Sequence, residues 1–440
     1  MNSELAQKLT HHLLREDPAV EDRIQTGIET HRKGYGQFIL SDRAGNPVPA
    51  ATIQLRQTGH EFQFGCNAFM VEQFTEKEKN AAYEERFRNL FNLAVVPFYW
   101  SDLEPEEGHL RFDRDASPIY RRPPPDLVLD FCERNHLTPK GHPLLWHLFR
   151  PGWLSQDPQI MKERIHRHFR EISERYASRI KIWDVCNEAQ TSRPWSPFHS
   201  TRAMPENHVE WAFELAARYF PDAIRTYNDD NMWFRFSGNY SPVYLLMQSL
   251  LARGYAVNAL GLQYHMFDGL LPLADHFMNP DLLFRCLDQY GKLNVPINFS
   301  EVSIISRRDL GDGDQFQKLV TEKLYRIWFS HPAVNGIVWW NMVDGTAAYA
   351  PMGSEEGENR LRAGLVNYDL TPKPAYTALQ NLVKKEWRTD VSMDYRAGAI
   401  NSFKGFYGDY EVVVTTDQGT FKQNVRLLKK AINEFRITCR

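Results

Sequence analysis

Two hydrophobic patterns alternate along most of this chain. Short apolar runs of strand length recur, and between them lie segments with apolar residues three or four positions apart, such as residues 160–176 and 209–219. The first pattern is typical of buried strands and the second of amphipathic helices. The pattern predicts eight strands, at residues 62–67, 93–99, 139–144, 181–188, 223–228, 260–265, 297–301 and 336–340.

Eight strands that alternate with helices predict an α/β fold of the (β/α)8, or TIM, barrel type. A doubly wound open sheet is the alternative. Such a sheet usually has a glycine-rich phosphate-binding turn after its first strand, and residues 64–67, Phe-Gly-Cys-Asn, are not such a turn. We therefore expect a barrel.

The segments on either side of the predicted barrel indicate a smaller unit. Residues 1–33 predict one or two helices, and the period then changes to two, which predicts strands at 37–41, 51–56, 411–416 and 420–425. The first two strands read as a β-hairpin, which is too small to be stable alone. The predicted organisation is a helix and β-hairpin extension at residues 1–60, a barrel at 61–388, and C-terminal strands at 389–440 that pack with the 34–58 hairpin into one accessory β-sandwich.

Composition limits the partners. The chain of 440 residues is 42% hydrophobic and 24% charged, as in ordinary globular proteins, and its net charge of −3 argues against a nucleic-acid partner. No apolar run is long enough to span a membrane, and the first residues lack the basic and apolar regions of a signal peptide. We expect a cytoplasmic protein, or a secreted one if a signal peptide was trimmed; the sequence does not indicate an oligomeric state.

Two predicted strands end in a glutamate. Residues 182–188 read Ile-Trp-Asp-Val-Cys-Asn-Glu, and residues 295–301 read Val-Pro-Ile-Asn-Phe-Ser-Glu. Because the C-terminal ends of barrel strands share one mouth, where barrel enzymes keep their chemistry, Glu188 and Glu301 should face each other there. Other polar and aromatic residues follow strands at the same end: His142, Trp146, His147, Asn187, Gln263, His265 and Trp340.

Paired carboxylates among aromatic and hydrogen-bonding side chains suit glycoside hydrolysis. One acid protonates the leaving oxygen, and the other attacks the anomeric carbon or activates water, with no cofactor or metal required. A metal-dependent hydrolase is an alternative, but it often has a His-x-His on its first strand, where this chain has Phe62, Phe64 and Cys66. A non-catalytic sugar-binding protein is a third possibility.

The motifs around these residues resemble those of glycoside hydrolase family 10, the retaining endo-β-1,4-xylanases. Residues 183–188 resemble the family's W-D-V-x-N-E motif and residues 300–304 its T-E-L-D-I motif; further matches follow in family order at 141–147, 227–231, 261–265 and 340–344. The resemblance implies that Glu188 is the general acid/base and Glu301 the nucleophile, acting on an oligo- or polysaccharide. Asn187 would bind the sugar 2-hydroxyl in the −1 subsite, and the side chains lining that subsite would be His142, Trp146, Gln263, His265 and Trp340.

The chain departs from the family pattern where that pattern binds the glycone sugars. The family's E-N-x-x-K-W becomes Val-Val-Pro-Phe-Tyr-Trp at residues 95–100, so that Tyr99 replaces the lysine and is the substrate-binding candidate left there. Ser303 replaces an aspartate, and Phe149 replaces a glutamine. A site without these polar groups cannot hold the same hydroxyls equally well. Xylan is therefore the default substrate, and a different β-glycoside or a decorated oligosaccharide is the alternative.

Overall fold

A computed structural model describes residues 3–190, 204–230, 240–267 and 274–439. The described chain begins with helices α1 (Glu4–Thr10) and α2 (Pro18–His31) and continues into two strands, β1 (Lys33–Ser41) and β2 (Ala50–His60). The parallel sheet that follows contains β3 (Gln63–Asn67), β4 (Leu93–Pro97), β5 (Thr138–His142), β6 (Leu145–Trp146), β7 (Ile182–Asn187), β8 (Ile224–Asp229), β9 (Ala259–His265), β10 (Ile297–Ser303) and β11 (Val334–Trp339).

This sheet closes on itself. Its strand order is β5-β4-β3-β11-β10-β9-β8-β7-β6, and a further pairing of β5 with β7 joins the two ends. At that seam Gly141 pairs with Trp183, and a Cβ on Gly141 would lie 2.2 Å from the indole ring, so that only glycine fits. The predicted (β/α)8 barrel is confirmed, because the eight predicted strands are all present and the two-residue β6 only extends one edge.

Helices cover the outside of the barrel. They are α3 (Lys77–Arg88), α4 (Trp100–Leu103), α5 (Pro125–Arg134), α6 (Pro158–Tyr176), α7 (His208–Tyr219), α8 (Pro242–Ala252), α9 (Ala274–Phe277), α10 (Pro280–Gly291), α11 (Gly313–Ser330) and α12 (Pro374–Asn381). Several begin with the same local signal, a capping side chain directly before a proline, at Asp17, Asp157, Ser241 and Asn279. The cap accepts free backbone N–H groups of the first turn, and proline has the right φ for that turn.

The remaining strands form two small sheets beside the barrel. These strands are β12 (Asp390–Arg396), β13 (Ser402–Phe406), β14 (Gly408–Thr416), β15 (Gly419–Leu427) and β16 (Glu434–Thr438). One sheet has the order β13-β1-β16 and the other β12-β2-β14-β15. Their inner faces share an apolar core that includes Phe38, Leu40, Ile53, Leu55 and Val412. The two sheets therefore pack as a sandwich whose strands come from residues 33–60 and 390–438.

The predicted 34–58 β-hairpin is wrong. Strand β1 pairs with β13 and β16, whereas β2 pairs with β12 and β14, so the two strands lie in different sheets. The turn between them is closed by the Asp42 carboxylate, which accepts from the backbone N–H groups of Ala44 and Asn46. The chain crosses here from one sheet to the other, because the apolar sides of β1 and β2 face each other across the core instead of lying side by side.

Candidate active site

Most of the predicted site residues line one cavity at the C-terminal mouth of the barrel. Its volume is about 290 Å³. Of the predicted residues, seven line it: Tyr99, Trp146, Glu188, Gln263, His265, Glu301 and Trp340. His142 and Asn187 are buried beside it, each 1% exposed. His147 is also buried and is not among the lining residues, and Asn231 of the 227–231 motif lies outside the described residues.

Glu188 sits where the chain turns away at the end of β7. Its φ of 55° is in the left-handed region, which is uncommon for a residue with a side chain. The backbone N–H of Glu188 donates to the carbonyl of Asn228 at 2.9 Å, so that strand β8 holds the turn in place. Unusual backbone conformations of this kind cost free energy and cluster at functional sites.

One amide connects the two glutamates. Gln263 Nε2 donates to Glu188 Oε1 at 2.9 Å and to Glu301 Oε1 at 3.1 Å. Since a single nitrogen contacts both oxygens, these oxygens are at most about 6 Å apart. Two carboxyl groups at this separation can act on the same bond of a substrate. The structure therefore brings Glu188 and Glu301 together, although they lie on strands separated by β8 and β9.

Glu301 is held from several sides. Its Oε1 also accepts from Asn228 Nδ2 at 2.9 Å, and its Oε2 lies 3.3 Å from His265 Nε2. His265 in turn contacts Ser303 Oγ through Nδ1 at 2.9 Å. Asn228 Nδ2 also donates to Asn187 Oδ1 at 2.7 Å, so this amide orients a second predicted site residue. These bonds fix the direction in which the Glu301 carboxylate points.

The environment of Glu188 favours its protonated form. Burial raises the pKa of Glu188 well above its ordinary value, and the negative charges of Asp230 and Glu301 raise it further. The hydrogen bond from Gln263 opposes these effects. A carboxyl group that stays protonated at higher pH than usual is suited to donate a proton to a leaving group.

A buried ion pair lies beneath the site. Lys140 Nζ is 3.0 Å from Asp184 Oδ1, and His142 Nδ1 is 2.9 Å from Asp184 Oδ2. Burial alone would raise the pKa of Asp184, but the charge of Lys140 and the hydrogen bond with His142 hold it below the ordinary value. The His142 ring is oriented by this carboxylate, and its Nε2 lies 3.8 Å from Glu301 Oε1.

Several buried polar atoms beside the carboxylates have no hydrogen-bond partner within the described chain. They include His142 Nε2, Trp146 Nε1 and Asn187 Nδ2. An unsatisfied buried polar group costs roughly 1–3 kcal/mol, so these atoms are suited to accept a polar ligand that supplies the missing bonds. Sugar hydroxyl groups would fit this arrangement, because each can donate and accept.

Tyr99 is packed by an arginine that the sequence analysis did not identify. The guanidinium carbon of Arg122 lies 3.6 Å from the centre of the Tyr99 ring, and Arg122 Nε donates to Asp102 Oδ2 at 2.9 Å. Its neighbour Arg121 is buried and donates to Asn341 Oδ1 and to the Thr346 carbonyl. Both arginines line the cavity. Arginines directly before a run of prolines were the available signal, but the pattern does not show where such a loop packs.

One group in the described part of the chain could hold a metal ion: His11, His12 and Asp275. None of the three lines the cavity. No helix among the described residues has the length and apolar character needed to cross a membrane.

Fold and site together define a class: a (β/α)8-barrel protein with a carboxylate pair at the mouth of the barrel. The chain belongs to glycosyl hydrolase family 10, whose model matches residues 58–382. The endo-1,4-beta-xylanase B of Thermotoga neapolitana is 25% identical over 313 residues, which cover 69% of this chain and 84% of that protein. The native xylanase 10B structure from Thermotoga maritima has a TM-score of 0.59 and 24% identity, and the match covers 74% of this chain and 96% of that one.

A longer match extends beyond the barrel. The anti-sigma-I factor RsgI6 of Acetivibrio thermocellus is 25% identical over 415 residues, which are 92% of this chain but only 48% of that protein. The chain thus spans about half of the length of this relative. The shared region includes most of the described chain, so it reaches into the sandwich as well as the barrel.

Proposed function

We propose that the protein hydrolyses β-linked glycosides by a retaining double displacement. The observation that carries the proposal is the Gln263 bridge between Glu188 and Glu301. Retaining enzymes hold their two carboxyl groups about 5–5.5 Å apart, whereas inverting enzymes need roughly 6.5–9.5 Å to admit a water molecule. An upper limit of about 6 Å between the bridged oxygens supports the retaining arrangement.

In the first step, Glu301 attacks the anomeric carbon while Glu188 donates its proton to the glycosidic oxygen. The bond to the leaving group breaks, and the sugar is held as an ester of Glu301. In the second step, the Glu188 carboxylate takes a proton from water, and the resulting oxygen nucleophile displaces Glu301. The raised pKa of Glu188 supports its role as the acid, and the bonds from Asn228 and Gln263 support Glu301 as the oriented nucleophile.

The proposed default substrate is β-1,4-xylan or its fragments. Several similar proteins are described as endo-1,4-beta-xylanases, and the xylanase 10B structure of Thermotoga petrophila, 22% identical, contains xylobiose. A second candidate is another β-glycoside or a decorated oligosaccharide. It is favoured by the apolar side chains of Val95, Val96 and Tyr99, all buried where the family pattern has polar residues.

Product stereochemistry tests the mechanism. An NMR time course on an aryl β-xyloside, with the aryl β-glucoside, galactoside and arabinoside in parallel, should show the β-anomer as the first product of whichever sugar reacts. Appearance of the α-anomer first would refute the double displacement. Glu301→Ala should abolish turnover, and activity that survived this substitution would favour a sugar-binding or otherwise repurposed protein.

The role of Glu188 is tested by the leaving group. Glu188→Ala should strongly slow glycosides with poor leaving groups but spare those with activated ones, because an activated leaving group needs little protonation. Equal losses on both substrates would remove Glu188 from the acid role.

A further inference from the structure

We infer that the active site holds only one sugar on the glycone side and therefore releases single sugars from the non-reducing end of its substrates. This inference rests on the proposed function and adds the mode of action.

The position of the acid fixes the direction of the substrate. Glu188 follows β7, and its amide partner Gln263 lies on β9. Because the acid must reach the glycosidic oxygen, the leaving group lies on this side of the mouth. The glycone then points away from Glu188, toward the segments that follow β3 and β4, which lie across the barrel from β8.

On that side, aromatic rings pack against one another. Tyr99, which follows β4, lies 4.6 Å from Phe149 and 5.7 Å from Phe69, measured between ring centres. Phe69 follows β3 and also packs edge-on against Trp340 at 5.2 Å. Below them, Val95 is 1% exposed. These residues form one apolar cluster, the Tyr99 wall, composed of Phe69, Val95, Tyr99 and Phe149, of which Tyr99 and Phe149 line the cavity.

Arg122 holds the Tyr99 wall in place. Its guanidinium stacks on the Tyr99 ring at 3.6 Å, and its Nε–H and one Nη1–H donate to the Asp102 carboxylate and the Arg121 carbonyl. A cation over an aromatic face is attracted electrostatically to the electron-rich face of the ring. An arginine already bonded in this way has fewer groups left for a second sugar, and moving it aside would break both the ion pair and the stacking.

Buried polar atoms without a partner in the described chain lie around the carboxylates, and one more, Arg121 Nε, lies near the Tyr99 wall, with the guanidinium carbon 5.5 Å from the centre of the Phe69 ring. His142 Nε2 and Asn187 Nδ2 belong to side chains linked to Glu301 directly or through Asn228, and Trp146 Nε1 belongs to a ring 6.3 Å from the His142 ring. This set matches the hydroxyl groups of one ring at the site of reaction. The cavity volume of about 290 Å³ is close to the lower end of the range for small-ligand pockets.

The test compares glycosides that differ by one sugar at the non-reducing end. We expect kcat/KM for 4-nitrophenyl β-xylobioside not to exceed that for 4-nitrophenyl β-xyloside, and xylohexaose to yield xylose and xylopentaose first. A higher value for the bioside, or early release of xylobiose and xylotriose, would overturn the inference. If another sugar is the substrate, the matching pair of mono- and disaccharide glycosides replaces these two.

A binding measurement tests this inference independently of the proposed function. Calorimetry on the Glu301→Ala protein measures Kd for the same pair of glycosides. We expect the added non-reducing sugar not to tighten binding, and tighter binding of the disaccharide glycoside would overturn the inference. Failure of the wild type to hydrolyse any aryl glycoside would refute the proposed function, while this binding comparison would still decide whether the wall excludes a second sugar.

Two matched variants, one in the Tyr99 wall and one in the sandwich, test the role of the wall. Phe149→Ala should raise the ratio of kcat/KM for the bioside to that for the xyloside, because it removes a ring from the proposed barrier. Tyr35→Ala removes an exposed aromatic ring of the sandwich, 68% exposed, and should leave the ratio unchanged. An unchanged ratio in a folded Phe149→Ala protein would count against the wall as the specificity determinant.

Discussion

His265 Nδ1 lies 2.9 Å from Ser303 Oγ, so a hydroxyl group, not a carboxylate, orients the imidazole that contacts the proposed nucleophile. A hydrogen bond of this type is worth about 0.5–1.5 kcal/mol. It fixes the ring without adding a negative charge two residues from Glu301.

Removing that hydroxyl should impair turnover modestly. Ser303→Ala leaves His265 without this partner, and we expect kcat/KM on an aryl glycoside to fall roughly three- to tenfold. Ser303→Thr keeps a hydroxyl and serves as the matched variant, with a smaller loss expected. Equal losses in the two variants would show that packing, not the hydrogen bond, explains the effect.

The pH dependence of kcat/KM should be sensitive to the charge of Asp230. Burial is the main cause of the raised pKa of Glu188, and the Asp230 charge is the next. As the proposed acid, Glu188 would act when protonated, so activity should fall as pH rises through this pKa. Asp230→Asn removes one negative charge, lowers the pKa of Glu188, and should move the alkaline limb of kcat/KM to lower pH.

The control for this profile is Asp417→Asn in the exposed turn between β14 and β15. This substitution changes the net charge by the same amount as Asp230→Asn and should not move the alkaline limb of kcat/KM. A shift of the same size in both variants would mean that overall charge, not the proximity of Asp230, sets the profile.

Glu188 should also reduce stability at neutral pH. A carboxyl group whose pKa is raised in the folded state is harder to ionise there than in the unfolded chain. It therefore lowers the free energy of unfolding once the pH rises above its pKa in the unfolded chain. Glu188→Gln should raise Tm by roughly 1–4 °C at pH 8, and the gain should vanish near pH 4. Thermal unfolding at the two pH values checks this, and a gain independent of pH would contradict it.

The ion pair below the site should be costly to break on one side. Lys140→Met leaves the buried Asp184 carboxylate without its cation and should lower the free energy of unfolding by about 3–5 kcal/mol. The double variant Lys140→Met/Asp184→Asn removes both charges. Its loss of unfolding free energy should be smaller than the sum of the losses in the single variants Lys140→Met and Asp184→Asn. Chemical denaturation measures all three, with Lys422→Met on exposed β15 as the control, and strictly additive losses would rule out the coupling.

The barrel could be predicted because its strands have a simple sequence pattern. A parallel strand covered on both faces is an almost continuous apolar run, and β4, β7 and β10 are buried along their whole length. The glutamates were identified for the same reason, since Glu188 interrupts such a run at its end. Once the eight strands are counted, the barrel geometry brings these ends together.

Strand pairing in the sandwich could not be predicted in the same way. The alternation of β1 and β2 identifies two half-buried strands but does not name their neighbours. The partners of β1 are more than 300 residues away, as in the contact of Gln37 with Ser402 and Glu434. Proximity along the chain therefore favoured a hairpin that the apolar faces do not allow.

The arginines of the cavity wall were missed for a different reason. A charged loop residue usually lies in solvent, yet Arg121 is 3% exposed. Its burial depends on acceptors at Asn341 and Thr346, which lie far along the chain and have no recognisable spacing. Only the folded chain shows that this loop returns to the mouth of the barrel.

The pairing of β1 and β2 with strands from the last fifty residues also sets an order of events during synthesis. On the ribosome, β1 and β2 emerge early, but their partners β12–β16 appear only after the whole barrel has been translated. Until then both strands present unpaired edges and the apolar residues of the sandwich core. The interval in which a nascent chain can associate wrongly is therefore as long as the translation of the barrel, and protection of this early segment should determine the yield of folded protein.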